Sequence, residues 1–293
     1  MVTTELIVQT LVSGFLLGGV YATAAIGLSL TFGIMDIVNL AHGHLLMLGG
    51  YVSVILFVML GISPLVGMLV AFVGLFAVGV VLQQWLINPI VDEGMEPAIL
   101  VTFGVALLLQ NLVQFFLGSE PKATDLGFEG VRIYLGPILV SFPRLVTFAI
   151  SVGLIGLTWA FLYYTKTGRA VRATAQNRTA ARTMGINTDR VFTVSMGLGA
   201  GLAGASGALL SMLFPVDPYV GWSLLLTSFA VVVLGGVGSL PGTIVGGLVL
   251  GMSENLGALF LGGGFRDVVT FGIFILVLII KPSGLWGEPP GEA

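Results

Sequence analysis

Gly27-Leu-Ser-Leu-Thr-Phe-Gly-Ile-Met-Asp-Ile-Val-Asn-Leu-Ala-His-Gly-His-Leu-Leu-Met-Leu-Gly-Gly-Tyr51 is the stretch on which the fold turns. It sits inside a hydrophobic run extending from residue 11 to residue 60, interrupted by Asp36, Asn39, His42 and His44. A bilayer-spanning helix needs about 20 apolar residues, so the run is too long for one span. Either the four polar residues lie at the membrane surface between two helices, or they line a break within the membrane. Irregular backbone at that depth is tolerated only against protein or a water-filled cavity. Intramembrane ionisable residues are functional candidates. Asp36, Asn39, His42 and His44 are therefore candidates for a translocation path, with Gly43 leaving room for a close neighbour or a solute. The alternative is interhelical hydrogen bonding or helix capping. If Asn39 to Gly43 is helical, Asn39 and His42 share a face at i, i+3. Two histidines at i, i+2 do not converge on a metal, and no acidic or cysteine cluster accompanies them, so no metal site is expected.

Composition generalises this reading. Of 293 residues, 56% are hydrophobic and 9% charged, where a soluble domain carries about 25% charged. A soluble globular enzyme is excluded. The net charge of −3, from 11 basic and 14 acidic residues, offers no basic face for nucleic acid. The absence of cysteine excludes disulfides, thiolate catalysis and cysteine-ligated metals. Glu5 precedes the first apolar run without a basic residue, so that run reads as a retained span and not as a cleavable signal. The membrane lipid is the solvent of one integral unit, 1–293.

Candidate spans fall at about 6–31, 41–60, 64–87, 98–117, 145–165, 191–214, 223–240, 243–261 and 268–280. The expected fold is an all-α polytopic membrane protein of eight or nine transmembrane helices, with broken or re-entrant segments near 33–43 and 235–242. Lys166, Arg169, Arg172, Arg178, Arg182 and Arg190 concentrate in one loop whose single acid is Asp189. The positive-inside rule makes that loop cytoplasmic. Counting outward puts the C-terminus in the cytoplasm and the N-terminus outside. The same count makes 88–96 cytoplasmic although it carries three acids and no base. Within the basic loop, alanines, arginines three or four apart and no proline favour one or two short surface helices bounded by Gly168 and Gly185, a handle for a partner or a solvated connection.

Val233-Leu-Gly-Gly-Val-Gly-Ser-Leu-Pro-Gly242 carries the second break. Gly235, Gly236, Gly238, Gly242 and Pro241 do not make a regular helix in lipid. No Lys-Ser/Thr follows, so this is no phosphate loop. A tightly packed re-entrant or unwound segment is expected, with Gly235, Gly236 and Gly238 as further path candidates. The small-residue ridge from Gly197 to Ala208 suits close helix approach. Glu254 and Asn255 are the costliest groups to bury unpaired.

Three pieces in this order, Gly27-Leu-Ser-Leu-Thr-Phe-Gly with Asn39-Leu-Ala-His-Gly, Gly168-Arg-Ala-Val-Arg-Ala with Gly185-Ile-Asn-Thr-Asp-Arg, and Val233–Gly242, resemble the LivH-type permease subunits of branched-chain amino acid ABC importers. The likeness covers nearly the whole chain. It departs where His44 follows Ala-His-Gly in place of the family's frequent acid, and where the 88–96 loop lacks basic residues. The resemblance implies that the first motif lies near the translocation path. It also implies that 166–190 is the coupling segment received by a nucleotide-binding subunit. Arg169, Arg172 and Arg178 would then pair with acids of the ATPase, Gly168 and Gly185 would set the loop's angles, and Ala175 and Asp189 would belong to the same contact. The chain has no Walker motif and binds no cofactor of its own, so ATP and Mg would be held by two cytoplasmic ATPase subunits. A second, LivM-like permease or another copy of this chain, and an external solute-binding protein, would complete an importer in a bacterial inner membrane. Branched-chain amino acids are the expected solutes, with urea, short amides or aromatic acids as alternatives. The competing class is a stand-alone ion-coupled secondary transporter of a small polar solute, using Glu254, Asp36 and the histidines.

Overall fold

The computed structural model describes residues 3–124, 131–135, 138–281 and 283–286. The order of helices is α1 (Thr4–Met35), α2 (His42–Leu60), α3 (Pro64–Leu82), α4 (Met95–Leu117), α5 (Phe142–Tyr164), α6 (Lys166–Gln176), α7 (Arg178–Thr183), α8 (Thr188–Ser211), α9 (Val220–Gly235), α10 (Leu240–Leu261) and α11 (Arg266–Ile280). A π-helical turn, Gln83–Ile87, continues α3. Eight segments are long and apolar enough to cross a bilayer, and Val220–Gly235 is a shorter ninth. The 16 residues of α9 rise about 24 Å at 1.5 Å per residue, short of the roughly 30 Å hydrocarbon core.

One element departs from the all-helical expectation. Arg132–Leu135 (β1) and Ile138–Ser141 (β2) pair antiparallel in the connection that the sequence reads as a polar loop, Gly118–Arg144. Residues 125–130 and 136–137 of that loop lie outside the described residues. Helix α5 starts earlier than the hydropathy suggests because Pro143 sits in its first turn, where a missing N–H costs nothing. The hairpin marks one end of the bundle and the α6–α7 pair the other, called here the hairpin end and the basic end.

Glycine sets the packing. Helix α8 is the most enclosed span, 83% buried in its apolar window, whereas α11 is 6% buried and presents its side chains outward. A Cβ on Gly27 would meet the Gly199 carbonyl oxygen at 2.6 Å, and one on Gly79 the Ala200 Cβ at 2.6 Å. Gly49 and Gly204, and Gly207 and Leu46, meet just as closely. The ridge from Gly197 to Ala208 thus receives α1, α2 and α3 at backbone distance, where dispersion between close-packed surfaces drives association in lipid. On the opposite side of α1, Gly14 and Gly18 stack on Gly251 and Gly247 of α10.

Candidate functional site

The polar break near 33–43 runs inside the bundle. Helix α1 ends at Asp36, whose left-handed backbone (φ 54°) caps it through a bond from its N–H to the Phe32 carbonyl. The chain then runs unwound to Ala41 and enters α2 at His42. The His42 ring reaches the Ala24 carbonyl oxygen at 3.0 Å. Ala24 precedes Met35 by three turns, about 16 Å of helix axis, so α2 begins well within the bundle and not at its basic end. The break therefore lies within the helical bundle and not at its end.

The irregular backbone is satisfied by protein groups. The Leu40 N–H donates to Thr102 Oγ1 of α4 at 3.2 Å, and the Ala41 N–H to Asn39 Oδ1 at 3.0 Å. The His42 N–H donates to the Asn39 carbonyl at 3.2 Å. Because a carbonyl only accepts, His42 carries its proton on Nε2. His44 stands edge-on to Trp222, centroids 4.7 Å apart. Both ring N–H groups address Gln110 Oε1, Trp222 at 2.8 Å and His44 at 3.4 Å.

These positions correct one local reading. Asn39 lies before α2, so Asn39 and His42 do not share a helix face; Asn39 caps the turn by its own side chain. Asn39, His42 and His44 are 2, 1 and 0% exposed, and touch a solute only if the helices around them part. Gly43 is filled from outside by the Gly221 carbonyl and Leu225. Asp36 alone is exposed.

The second break is a hairpin turn, confined to Gly236–Ser239 between α9 and α10. Leu240, Pro241 and Gly242 are the first turn of α10, where proline is compatible with helix, and Ser239 Oγ accepts from the Gly242 N–H at 3.2 Å. Gly236 and Gly238 have φ of 98° and 75°, a region L side chains rarely adopt. Gly235 and Gly242 touch through backbone. A Cβ on Gly33 would meet Gly238 Cα at 2.8 Å, which brings the end of α1 to this turn. The Leu285 and Trp286 N–H groups donate to the Leu234 and Gly235 carbonyls at 2.9 and 3.1 Å.

The basic segment folds as the elbow α6–α7. Thr165 Oγ1 caps α6 through the Gly168 N–H (2.9 Å), and Asn177 Oδ1 caps α7 through the Ala180 N–H (2.8 Å). Gly168 does not bound the elbow as the sequence suggests. It lies within the first turn of α6, where only hydrogen fits against the Phe161 and Leu162 backbone. Gly185, with φ 83°, does end it. Gly168, Val171 and Thr174 face inward, while Arg169 and Ala175 are exposed. Two arginines are already engaged within the chain. Arg172 donates to the Leu162 carbonyl at 3.2 Å and lies over the Tyr163 ring at 4.2 Å. Arg178 is bonded to Asp92 at 2.5 Å, with Arg182 at 3.8 Å from the same carboxylate and from Asp189. The acidic 88–96 loop and the basic elbow therefore share one end of the bundle, and Asp92, one of the acids that seemed out of place, is a partner of the arginines.

A cavity of about 200 Å³ lies between the elbow and the glycine turn, lined by Gly33, Arg172, Ala175, Gly238 and Ser239 among others. Arg172 and Ala175 are thereby brought to Gly238, whereas Asn39, His42 and His44 lie apart from it. No group of three or more His, Cys, Asp or Glu placed to hold a metal occurs among the described residues.

Residues 10–278 match the family described as branched-chain amino acid transport system, permease component. The chain is 33% identical over 298 aligned residues to the high-affinity branched-chain amino acid transport system permease protein LivH of Escherichia coli K12, covering 97% of this chain and 96% of that protein. It is likewise 33% identical to BraD of Pseudomonas aeruginosa, covering 97% of each. It is 28% identical to the ribose import permease protein RbsC of Escherichia coli K12, covering 89% of this chain and 82% of that one. Among solved structures, PsaBC from Streptococcus pneumoniae in complex with Fab superposes with a TM-score of 0.53 at 14% identity over 97% of this chain and 94% of that one, a likeness of fold. A helical bundle built on backbone glycine contacts, a break inside it and a charged elbow at one end accord with this kinship, and the chain belongs to the permease components of branched-chain amino acid transport systems.

Proposed function

We propose that this permease is the membrane-spanning half of an ATP-driven importer of branched-chain amino acids, moved by ATPase subunits that it does not itself contain. The observation that carries the reading is the elbow. α6 and α7 are too short to span, are capped at both N-termini by side chains, and hold an exposed surface that includes Arg169 and Ala175. Rigid attachment makes such a surface a lever, because Gly168 seats α6 on the backbone of α5 and the Asp92 ion pairs tie α7 to the loop after α3.

Six basic residues between 166 and 190 favour the cytoplasm for this end. The C-terminal segment packs at the same end through Leu285 and Trp286, so it too is cytoplasmic, and the hairpin end faces outside, where a solute-binding protein docks. A second permease, LivM-like or identical, completes the path. In this reading Gly168, Arg172 and Arg178 hold the lever's shape, Arg169, Ala175, Gly185 and Asp189 meet the ATPase, and Asp36, Gly235, Gly236 and Gly238 lie where the lever acts. Asn39, His42, Gly43 and His44 fix the depth at which α2 starts.

The test is reconstitution of the chain with its neighbouring ATPase, permease and binding-protein partners in liposomes. Leucine, isoleucine or valine with the binding protein is expected to stimulate ATP hydrolysis and uptake. Arg169→Glu, on the exposed face of α6, is expected to leave the chain folded and to reduce ATPase co-purification at least about tenfold, the scale of a charge reversal at a contact worth 1.4 kcal/mol. Uptake that persists without any ATPase would overturn the reading.

A further inference from the structure

We propose that the cavity lined by α1, α2, α8, α9, α10 and the start of α11 near the hairpin end is an α-amino acid site, in which Glu254 receives the ammonium group and Arg266 the carboxylate. This deepens the importer reading and rests on it. The cavity holds about 200 Å³, the space of six or seven waters at roughly 30 Å³ each, which suits a small solute. Its wall is hydrocarbon from Leu46, Met47, Leu210, Val216, Val220 and Leu224, the lining that an aliphatic side chain gains from leaving water.

The charged groups in this wall carry the argument. Glu254 is 7% exposed. Its Oε2 is buried without a hydrogen-bond partner, and Tyr21 lines the same cavity. Arg266, which also lines the cavity, rests its guanidinium 5.6 Å from the Phe214 ring centroid and buries Nε without a partner. Among the described residues no ion pair joins Arg266 to Glu254 or Asp267. Asp267 also lines the cavity but is exposed, where water screens it, whereas the Glu254 carboxylate and the half-buried Arg266 guanidinium are costly unless each meets an opposite charge. Here they flank a space and do not close on one another. An inorganic anion in that space would face Glu254, a bare cation would face Arg266, and a neutral solute such as urea would leave both charges uncompensated. A zwitterion with an apolar side chain satisfies both and fills the wall.

The chain has no cysteine, so Val220→Cys places a single thiol in the cavity wall of the complete transporter, assembled with partners free of reactive thiols. Leucine is expected to slow its labelling by a small maleimide at least about tenfold. 4-Methylpentanoate, which lacks the ammonium, and isoamylamine, which lacks the carboxylate, are expected not to. Glu254→Gln and Arg266→Gln should each abolish protection, read as the ratio of each variant's labelling rates with and without leucine, while the assembled transporter still co-purifies with its partners, a pattern that loss of structure alone would not give. Leucine protection that survives either substitution, or a transporter that takes up leucine with no protection at all, overturns the site and leaves the importer reading standing. A transporter that takes up none of leucine, isoleucine and valine overturns both.

Discussion

Replacing Thr102 by Val removes one oxygen and tests whether the break between α1 and α2 is held by protein hydrogen bonds. Thr102 is 2% exposed, and its Oγ1 accepts from the Leu40 N–H at 3.2 Å, across from α4 to the unwound chain. The hydroxyl proton goes to the Ala98 carbonyl of its own helix at 2.8 Å. Valine keeps the branching and the volume, so no cavity opens, but the Leu40 N–H is left without an acceptor. A buried donor stripped of its partner costs about 1–3 kcal/mol in soluble proteins, whereas interhelical side-chain bonds in membranes average about 0.6 and reach about 1.7 kcal/mol, because the unfolded chain in lipid finds other partners. The Leu40 amide belongs to irregular backbone, which lipid cannot satisfy, so about 1–2 kcal/mol is expected. The control is Thr158→Val, which removes a hydroxyl that donates only to the Leu154 carbonyl one turn back in α5, a group already bonded within its helix. The assay is unfolding in mixed micelles with increasing denaturing detergent, read by helical circular dichroism. Equal shifts for the two substitutions would refute the claim that the break depends on Thr102.

Gly18→Ala is expected to destabilise the bundle by about 1–3 kcal/mol, the usual scale of overpacking, because its Cβ would stand 2.6 Å from the Gly247 carbonyl oxygen. Gly104→Ala, with nothing within 4 Å, should be neutral or stabilising by up to about 1 kcal/mol, and the same detergent titration compares the two. Asp92→Asn removes the shared partner of Arg178 and Arg182, both carboxylate contacts being partly exposed. Its cost in stability is expected at about 0–1 kcal/mol and to shrink as salt rises, which thermal unfolding at two ionic strengths measures.

The long apolar runs were readable because hydropathy depends on composition alone, and the helices fall within a few residues of the runs. The break was readable as a position, since four polar residues cannot be spread through one span, but its contents were not. Asn39 turned inward to cap a turn, His42 to a carbonyl eighteen residues earlier, and His44 to Gln110 and Trp222. The partners of His42 and His44 lie on other helices, and no local pattern encodes which face a glycine-packed helix presents when all faces are apolar. The glycine turn was legible as a tightly packed break, but its extent was not. Four glycines look like an extended irregularity, yet two of them, Gly235 and Gly242, close-pack the ends of α9 and α10, and only Gly236 and Gly238 need positive φ. The acidic 88–96 loop looked anomalous because charge was counted along the chain, where Asp92 and Arg178 are far apart, and not across the bundle end they share.

The two breaks differ in what they permit. The stretch from Asp36 to Ala41 is pinned on several sides, by Thr102 from α4, by Ala24 from α1 through His42, and by Met196 from α8, whose sulfur receives the Asn39 amide at 3.6 Å. A displacement there must break bonds that lipid cannot replace. The Gly236–Ser239 turn has backbone contacts with Gly33 and Gly284, but it also borders the cavity beneath the elbow, and empty volume is what lets one packed body move against another without overlap. A push on α6 therefore has a compliant neighbour in the α9–α10 turn and a stiff one in the Asp36–Ala41 break. That compliant turn leads directly into α10, the helix that carries Glu254.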